Sequence, residues 1–140
     1  MSRIRRSLLP VAFYVLLIFG LSSIPSLRAP TSDLVSTDKI AHFVEYFILG
    51  VLLFRGVGWN VTRSRPAVFG FMLAVAVGIG AMDEIYQSFV PGRDMSIFDW
   101  SADALGAAAG TGLFVFTGLG NRPHAAQTAP ESKNRGGDSL

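Results

Sequence analysis

The sequence predicts an all-α protein, an integral membrane bundle of four transmembrane helices, and three observations carry that prediction. Half of the 140 residues are hydrophobic and only 16% are charged, with a mean hydropathy of +0.43, a composition wrong for a soluble domain of this size. Four apolar segments follow one another: Leu8–Ile24, Ile40–Phe54, Ala67–Met82 and Ala104–Leu119. Basic residues cluster before the first segment, between the second and third and after the fourth, which puts them on one side of a multi-pass membrane protein. Each segment is 15 to 17 residues long, short of the roughly 20 needed to cross hydrocarbon, until the polar stretches adjoining the last three are counted in. The polar residues are therefore expected to enter the membrane.

The first segment follows Arg3, Arg5 and Arg6, and the run Gly20-Leu21-Ser22-Ser23-Ile24-Pro25 lacks a small-x-small cleavage pattern. It reads as a retained signal anchor. From Pro25 to Thr37, prolines, serines and threonines predict an irregular outer loop. Thr37 or Asp38 is suited to cap the second helix, because a short side-chain oxygen accepts from the orphan amides of a first turn. Arg55, Arg63 and Arg65 separate the second and third segments. Beyond the third, Val90-Pro91-Gly92-Arg93 is a turn by composition, and Ser96 or Asp99 is suited to cap the fourth helix.

The fourth segment is rich in Gly and Ala, with Gly106 and Gly110 at the spacing that lets membrane helices approach closely. Packing within the bundle is the first reading of that surface and a homodimer face the second. Residues 1–119 then form the transmembrane domain, and 120–140, without apolar periodicity, read as a disordered cytoplasmic tail.

Nine of the twelve Lys and Arg residues lie on the side of both termini, which places the termini in the cytoplasm. Eight of the ten acidic residues lie on the other side: Asp33, Asp38, Glu45, Asp83, Glu84, Asp94, Asp99 and Asp103. Acidic residues contribute little to topology, so their segregation points to a feature of the outer face. Absence of cysteine excludes disulfides and thiol chemistry. Nucleic acid is set aside as a partner despite a pI near 9.4, because the basic residues flank apolar segments and form no stripe.

The acids sit in a pattern. Asp38, His42 and Glu45 are spaced to share one helix face. Asp83 and Glu84 precede Gln87 at the end of the third helix, and Asp99 and Asp103 share a face of the fourth. The i, i+4 spacing of Asp38 with His42 recurs in Asp99 with Asp103, a weak internal symmetry. Arg93, in the loop between two of these helices, can bridge carboxylates or hold a phosphate or carboxylate through its guanidinium fork. Ionisable groups beside hydrocarbon are costly to keep and mark functional sites. Glu84, Arg93, Gln87, His42, Glu45, Asp38 and Asp99 are therefore the candidate ligand-binding residues. His42 is equally suited to bond Asp38 or Glu45. Asp38 and Asp99 are also expected as helix caps, and Tyr46, Tyr86 and Trp100 as interfacial anchors. His124 and the Asn60-Val61-Thr62 triplet are read as incidental.

The runs DKIAHFVEYFILGVLL and DEIYQSFVPGRDMSIFDWSADALGAAAG resemble the VanZ-like family of small membrane proteins, over about Asp38 to Gly110. Asp38, His42, Glu45, Tyr46, Glu84, Gln87, Pro91, Arg93, Asp99 and Gly106 stand at the marks of that pattern. Asp103 departs from it, Asn being expected there, which weakens an acid role for Asp103. The resemblance implies a role in the bacterial cell envelope, the founding member being associated with teicoplanin resistance.

Three readings follow. An acidic outer-face pocket with Arg93 could bind an envelope lipid, a peptidoglycan precursor or a glycopeptide. Alternatively, His42 or Glu84 could act as general base, with carboxylates holding a metal, on a lipid-linked phosphate or ester. In the third, the polar groups only hold four helices in register. Oxygen ligands would suit Mg²⁺ or Ca²⁺, but no specific metal motif is present, and the sequence assigns neither metal ligands nor a cofactor.

Overall fold

The computed structural model describes residues 3–25, 37–56 and 64–117, with the backbone alone for 3–7. Among them are four helices and no strand: α1 (Arg3–Ser22), α2 (Thr37–Gly56), α3 (Arg65–Gln87) and α4 (Ile97–Thr117). Most of the expected outer loop, Arg63, the Asn60–Thr62 triplet, His124 and the expected tail lie outside the described residues.

The last three helices extend beyond their apolar segments into polar sequence. Nothing between Met82 and Gln87 breaks a helix, so α3 runs on through Asp83 and Glu84 and reaches 23 residues. Helices α2 and α4 start early, with Asp38 and Asp99 in their first turns, where the helix dipole favours an anion. Length and apolar composition sufficient to cross a membrane occur, among the described residues, in α3 alone. Asp38, Lys39, Glu45 and Arg55 interrupt α2, and the apolar part of α1, Leu8–Ser22, is shorter.

The chain rises and falls, so that the ends of α1 and α3 meet the starts of α2 and α4. Helix α2 packs most extensively against α4, and the two run parallel: Phe43 faces Gly106, Phe47 faces Gly110, and Gly50 faces Ala107 and Thr111. A Cβ at Gly106 or Gly110 would overlap the carbonyl oxygen of Phe43 or Phe47. The small-residue surface of α4 is thus covered by α2 of the same chain. Around this seam, Ile18, Tyr46, Leu49, Ala76 and Ala107 form the core.

Residues are distributed inside out relative to a soluble domain. Phe13, Leu16, Phe71, Leu105 and Phe116 are more than half exposed, whereas His42, Asp83, Glu84, Gln87, Asp99 and Asp103 are at most 4% exposed. Buried acids and an apolar exterior reverse the usual preference. Every one of those buried polar residues lies at one end of the bundle.

Between α3 and α4, the Arg93 amide donates to the Val90 carbonyl at 3.1 Å and Gly92 has φ of 80°. Pro91 and Gly92 thus occupy the two central positions of a type II turn, which brings Arg93 back over the bundle.

Candidate functional site

Parallel packing of α2 on α4 sets two polar pairs in register. Lys39 faces Asp99 at 3.6 Å, and His42 Nδ1 lies 2.9 Å from Asp103 Oδ1. The i, i+3 spacing of Lys39 and His42 on α2 meets the i, i+4 spacing of Asp99 and Asp103 on α4, so one helix supplies the basic members of both pairs and Asp38 belongs to neither. Asp99 is therefore not the cap of α4. Ser96 has that role, its Oγ accepting from the Asp99 amide at 3.3 Å, while the Asp99 carboxylate is buried against Lys39.

Helix α3 contributes two carboxylates on diverging faces. Asp83 Oδ2 accepts from Ser22 Oγ and from Gln87 Nε2, both at 2.9 Å, and Gln87 Nε2 also reaches Ser22 Oγ at 3.2 Å. The other end of the Gln87 amide accepts from Arg93 Nη1 at 3.1 Å. Arg93 Nε donates to the Ile24 carbonyl at 3.4 Å. Among the described residues no carboxylate pairs with Arg93, so the expectation that it bridges carboxylates is not met. Glu84 turns toward α4, where its Oε2 accepts from the Ser96 amide at 2.6 Å.

Two cavities flank this network. A cleft of about 360 Å³ is lined by Leu21, Ser22, Thr37, Asp38, Ala41, His42, Glu45 and Arg93. Here Asp38, His42 and Glu45 share a face as their spacing predicts, and Arg93 lines the same cleft. Glu84 lines instead a cavity of about 260 Å³ with Ala81, Ile85, Met95, Ser96, Ile97 and Trp100. The candidate residues thus converge on one end of the bundle but not on one pocket: Glu84 and Arg93 face different cavities.

Asp103, whose acid role the sequence pattern weakened, is fully buried and is the partner of His42, the place expected for Asp38 or Glu45. Its four-residue spacing from Asp99 was the available signal. Ser22, the partner of Asp83, carried no signal, because a lone serine ending an apolar segment is unremarkable in sequence. Nor is Tyr46 an interfacial anchor: it is completely buried. Trp100 is half-buried, its indole N–H donating to the Val77 carbonyl at 3.1 Å, and the exposed Tyr86 hydroxyl meets Ser23 Oγ at 2.8 Å.

Among the described residues, acids outnumber bases at this end of the bundle. Asp38, Glu45, Asp83, Glu84, Asp99 and Asp103 gather there with Lys39, Arg93 and His42. Asp83 Oδ1, Glu84 Oε1, Asp103 Oδ2 and the Tyr46 hydroxyl are buried with no hydrogen-bond partner among the described residues. Native interiors leave few polar atoms unsatisfied, and a network whose only task was to join helices would be expected to pair them.

Fold and site together define a class: a small helical bundle, apolar outside, with ionisable side chains buried at one end. The VanZ/LLP1 family model matches residues 3–118, and the chain belongs to that family. The match takes in α1 and the end of α4, which the sequence resemblance did not cover. Membership suggests a membrane protein connected with the cell envelope or antibiotic resistance. Neither the curated proteins nor the solved structures contain a match.

Proposed function

We propose that the chain is a multi-pass protein of the bacterial plasma membrane, with both termini cytoplasmic, that binds an envelope ligand in the cleft between α1 and α2. The distribution of Lys and Arg supports this orientation, and the apolar exterior supports immersion in lipid. Shortness of the apolar stretches in α2 and α4 follows from the polar end they share, since ionisable groups inside a bundle are shielded from hydrocarbon by neighbouring helices.

The observation that carries the binding reading is Arg93. Its guanidinium is held by Gln87 and the Ile24 carbonyl, lines the cleft, and has no carboxylate partner among the described residues. A guanidinium fixed in this way, with no carboxylate in ion-pair contact among the described residues, is suited to a phosphate or carboxylate. Across the cleft, Asp38 and Glu45 suit amines or hydroxyls on the same ligand. Envelope lipids, peptidoglycan precursors and glycopeptides all combine such groups with a larger body.

Arg93→Ala is expected to weaken binding of the preferred ligand at least tenfold, because a hydrogen-bonded charge contact contributes about 1.5–3 kcal/mol. Binding of an anionic phospholipid, a lipid-linked peptidoglycan precursor and teicoplanin to the full chain in nanodiscs provides the measurement. Equal binding of every one by wild type and Arg93→Ala would remove the basis of this reading.

A second reading is favoured by the His42–Asp103 contact. A buried carboxylate that fixes an imidazole facing a cleft is the arrangement of a positioned general base. Turnover of a lipid-linked phosphate or ester in the cleft would distinguish an enzyme from a binding protein.

A further inference from the structure

We propose that His42, Glu84 and Asp103 form a site for a first-row divalent cation that accepts both imidazole nitrogen and carboxylate oxygen, with Zn²⁺ the best match. The residues come from α2, α3 and α4, so no single helix contains the site. One potential ligand atom from each lies within 4.8 Å of the others. Tetrahedral zinc, with bonds of about 2.0–2.1 Å, holds its ligand atoms about 3.4 Å apart, so binding requires a closure on the order of an ångström. All three side chains are more than nine-tenths buried.

Independent features point to a ligand at this junction. Glu84 Oε1 and Asp103 Oδ2 are buried without hydrogen-bond partners among the described residues, and so is the hydroxyl of Tyr46. That hydroxyl lies in the field of Asp103, Asp83, Glu45 and Glu84, so an unsatisfied phenol shares the interior with unsatisfied carboxylates. Gly80 adds a local reason. A Cβ at this position, one turn before Glu84 on α3, would stand 3.0 Å from Asp103 Oδ2 and 3.3 Å from the Trp100 ring. Glycine here gives the Asp103 carboxylate room to move.

Oxygen-only sites suit Mg²⁺ or Ca²⁺, but an imidazole at the centre shifts the preference toward Zn²⁺. Asp38 and Asp99 also come near His42. There the Lys39 ammonium already faces Asp99, and a dication would be repelled. A cation at His42, Glu84 and Asp103 would offset the excess of buried acid without help from any envelope ligand, so the inference stands apart from the reading of the cleft.

The test uses Zn²⁺ alone. The chain has two histidines, so a full-length His124→Ala protein, purified in detergent and stripped with a chelator, leaves His42 as the sole imidazole. Equilibrium dialysis is expected to show about one equivalent bound, with affinity reduced tenfold or more in Glu84→Gln and in Asp103→Asn. Zn²⁺ is also expected to raise the melting temperature of the stripped parent, a readout that does not depend on variants that fold poorly. Absence of both saturable binding and this rise would overturn the proposal. So would undiminished binding in Glu84→Gln, or its loss only in Asp38→Asn, which would place the cation at the neighbouring group.

Discussion

Gly110→Val is expected to prevent stable folding, with a loss of about 3 kcal/mol or more, at or beyond the upper end of ordinary overpacking. A Cβ on this residue overlaps the Phe47 carbonyl oxygen, and a helical backbone cannot yield as a flexible side chain can. Seam residues on both sides of the site, Phe43 and Phe47 on α2 and Gly106 on α4, would have to separate. Since the same seam sets Lys39 against Asp99 and His42 against Asp103, the polar register would be lost with it. Gly78 is the control, because nothing lies within 4 Å of a Cβ there. Thermal unfolding in detergent should show a cooperative transition near that of wild type for Gly78→Val and a collapsed or absent one for Gly110→Val. If α4 used this surface for a second copy instead, Gly110→Val would dissociate an oligomer and leave the monomer stable.

His42→Ala is expected to cost about 3–5 kcal/mol, the usual result of removing one member of a buried charged pair. Asp103 is fully buried, and His42 is its only hydrogen-bond partner among the described residues. Asp103→Asn keeps an oxygen that can accept from the imidazole and should cost only about 1 kcal/mol, the scale of one net hydrogen bond. In chelator-stripped protein, a double-mutant cycle with His42→Ala and Asp103→Ala checks the assignment. The double variant should be markedly less destabilised than the sum of the singles, as for residues in direct contact. Additive losses would mean that the two side chains act separately.

The helices were legible because apolar runs and breakers are local features. Pro91 and Gly92 announce their turn, and the carboxylates that shortened the apolar runs in sequence lie inside α2, α3 and α4 in the fold. The face shared by Asp38, His42 and Glu45 was legible for the same reason: helical spacing fixes it without reference to any partner. Partners were not legible, because they depend on how helices pair. Only the parallel seam in which Gly106 and Gly110 of α4 pack against α2 decides that His42 meets Asp103. Likewise, the divergence of Glu84 from Arg93 depends on the rotation of α3, which brings Asp83 to Ser22 and Glu84 to Ser96. A one-residue difference in sequence becomes a difference of cavity.

Thermal stability of chelator-stripped Glu84→Gln beside wild type tests most directly whether the buried acids serve a ligand or only join helices. Glutamine keeps an oxygen to accept from the Ser96 amide, and its amide replaces a buried oxygen that has no partner among the described residues. Stability is therefore expected to be unchanged or raised, as when a group kept for function at a cost to stability is neutralised. A loss of about 3–5 kcal/mol, the scale of a broken buried ion pair, would contradict this and make Glu84 part of a structural network.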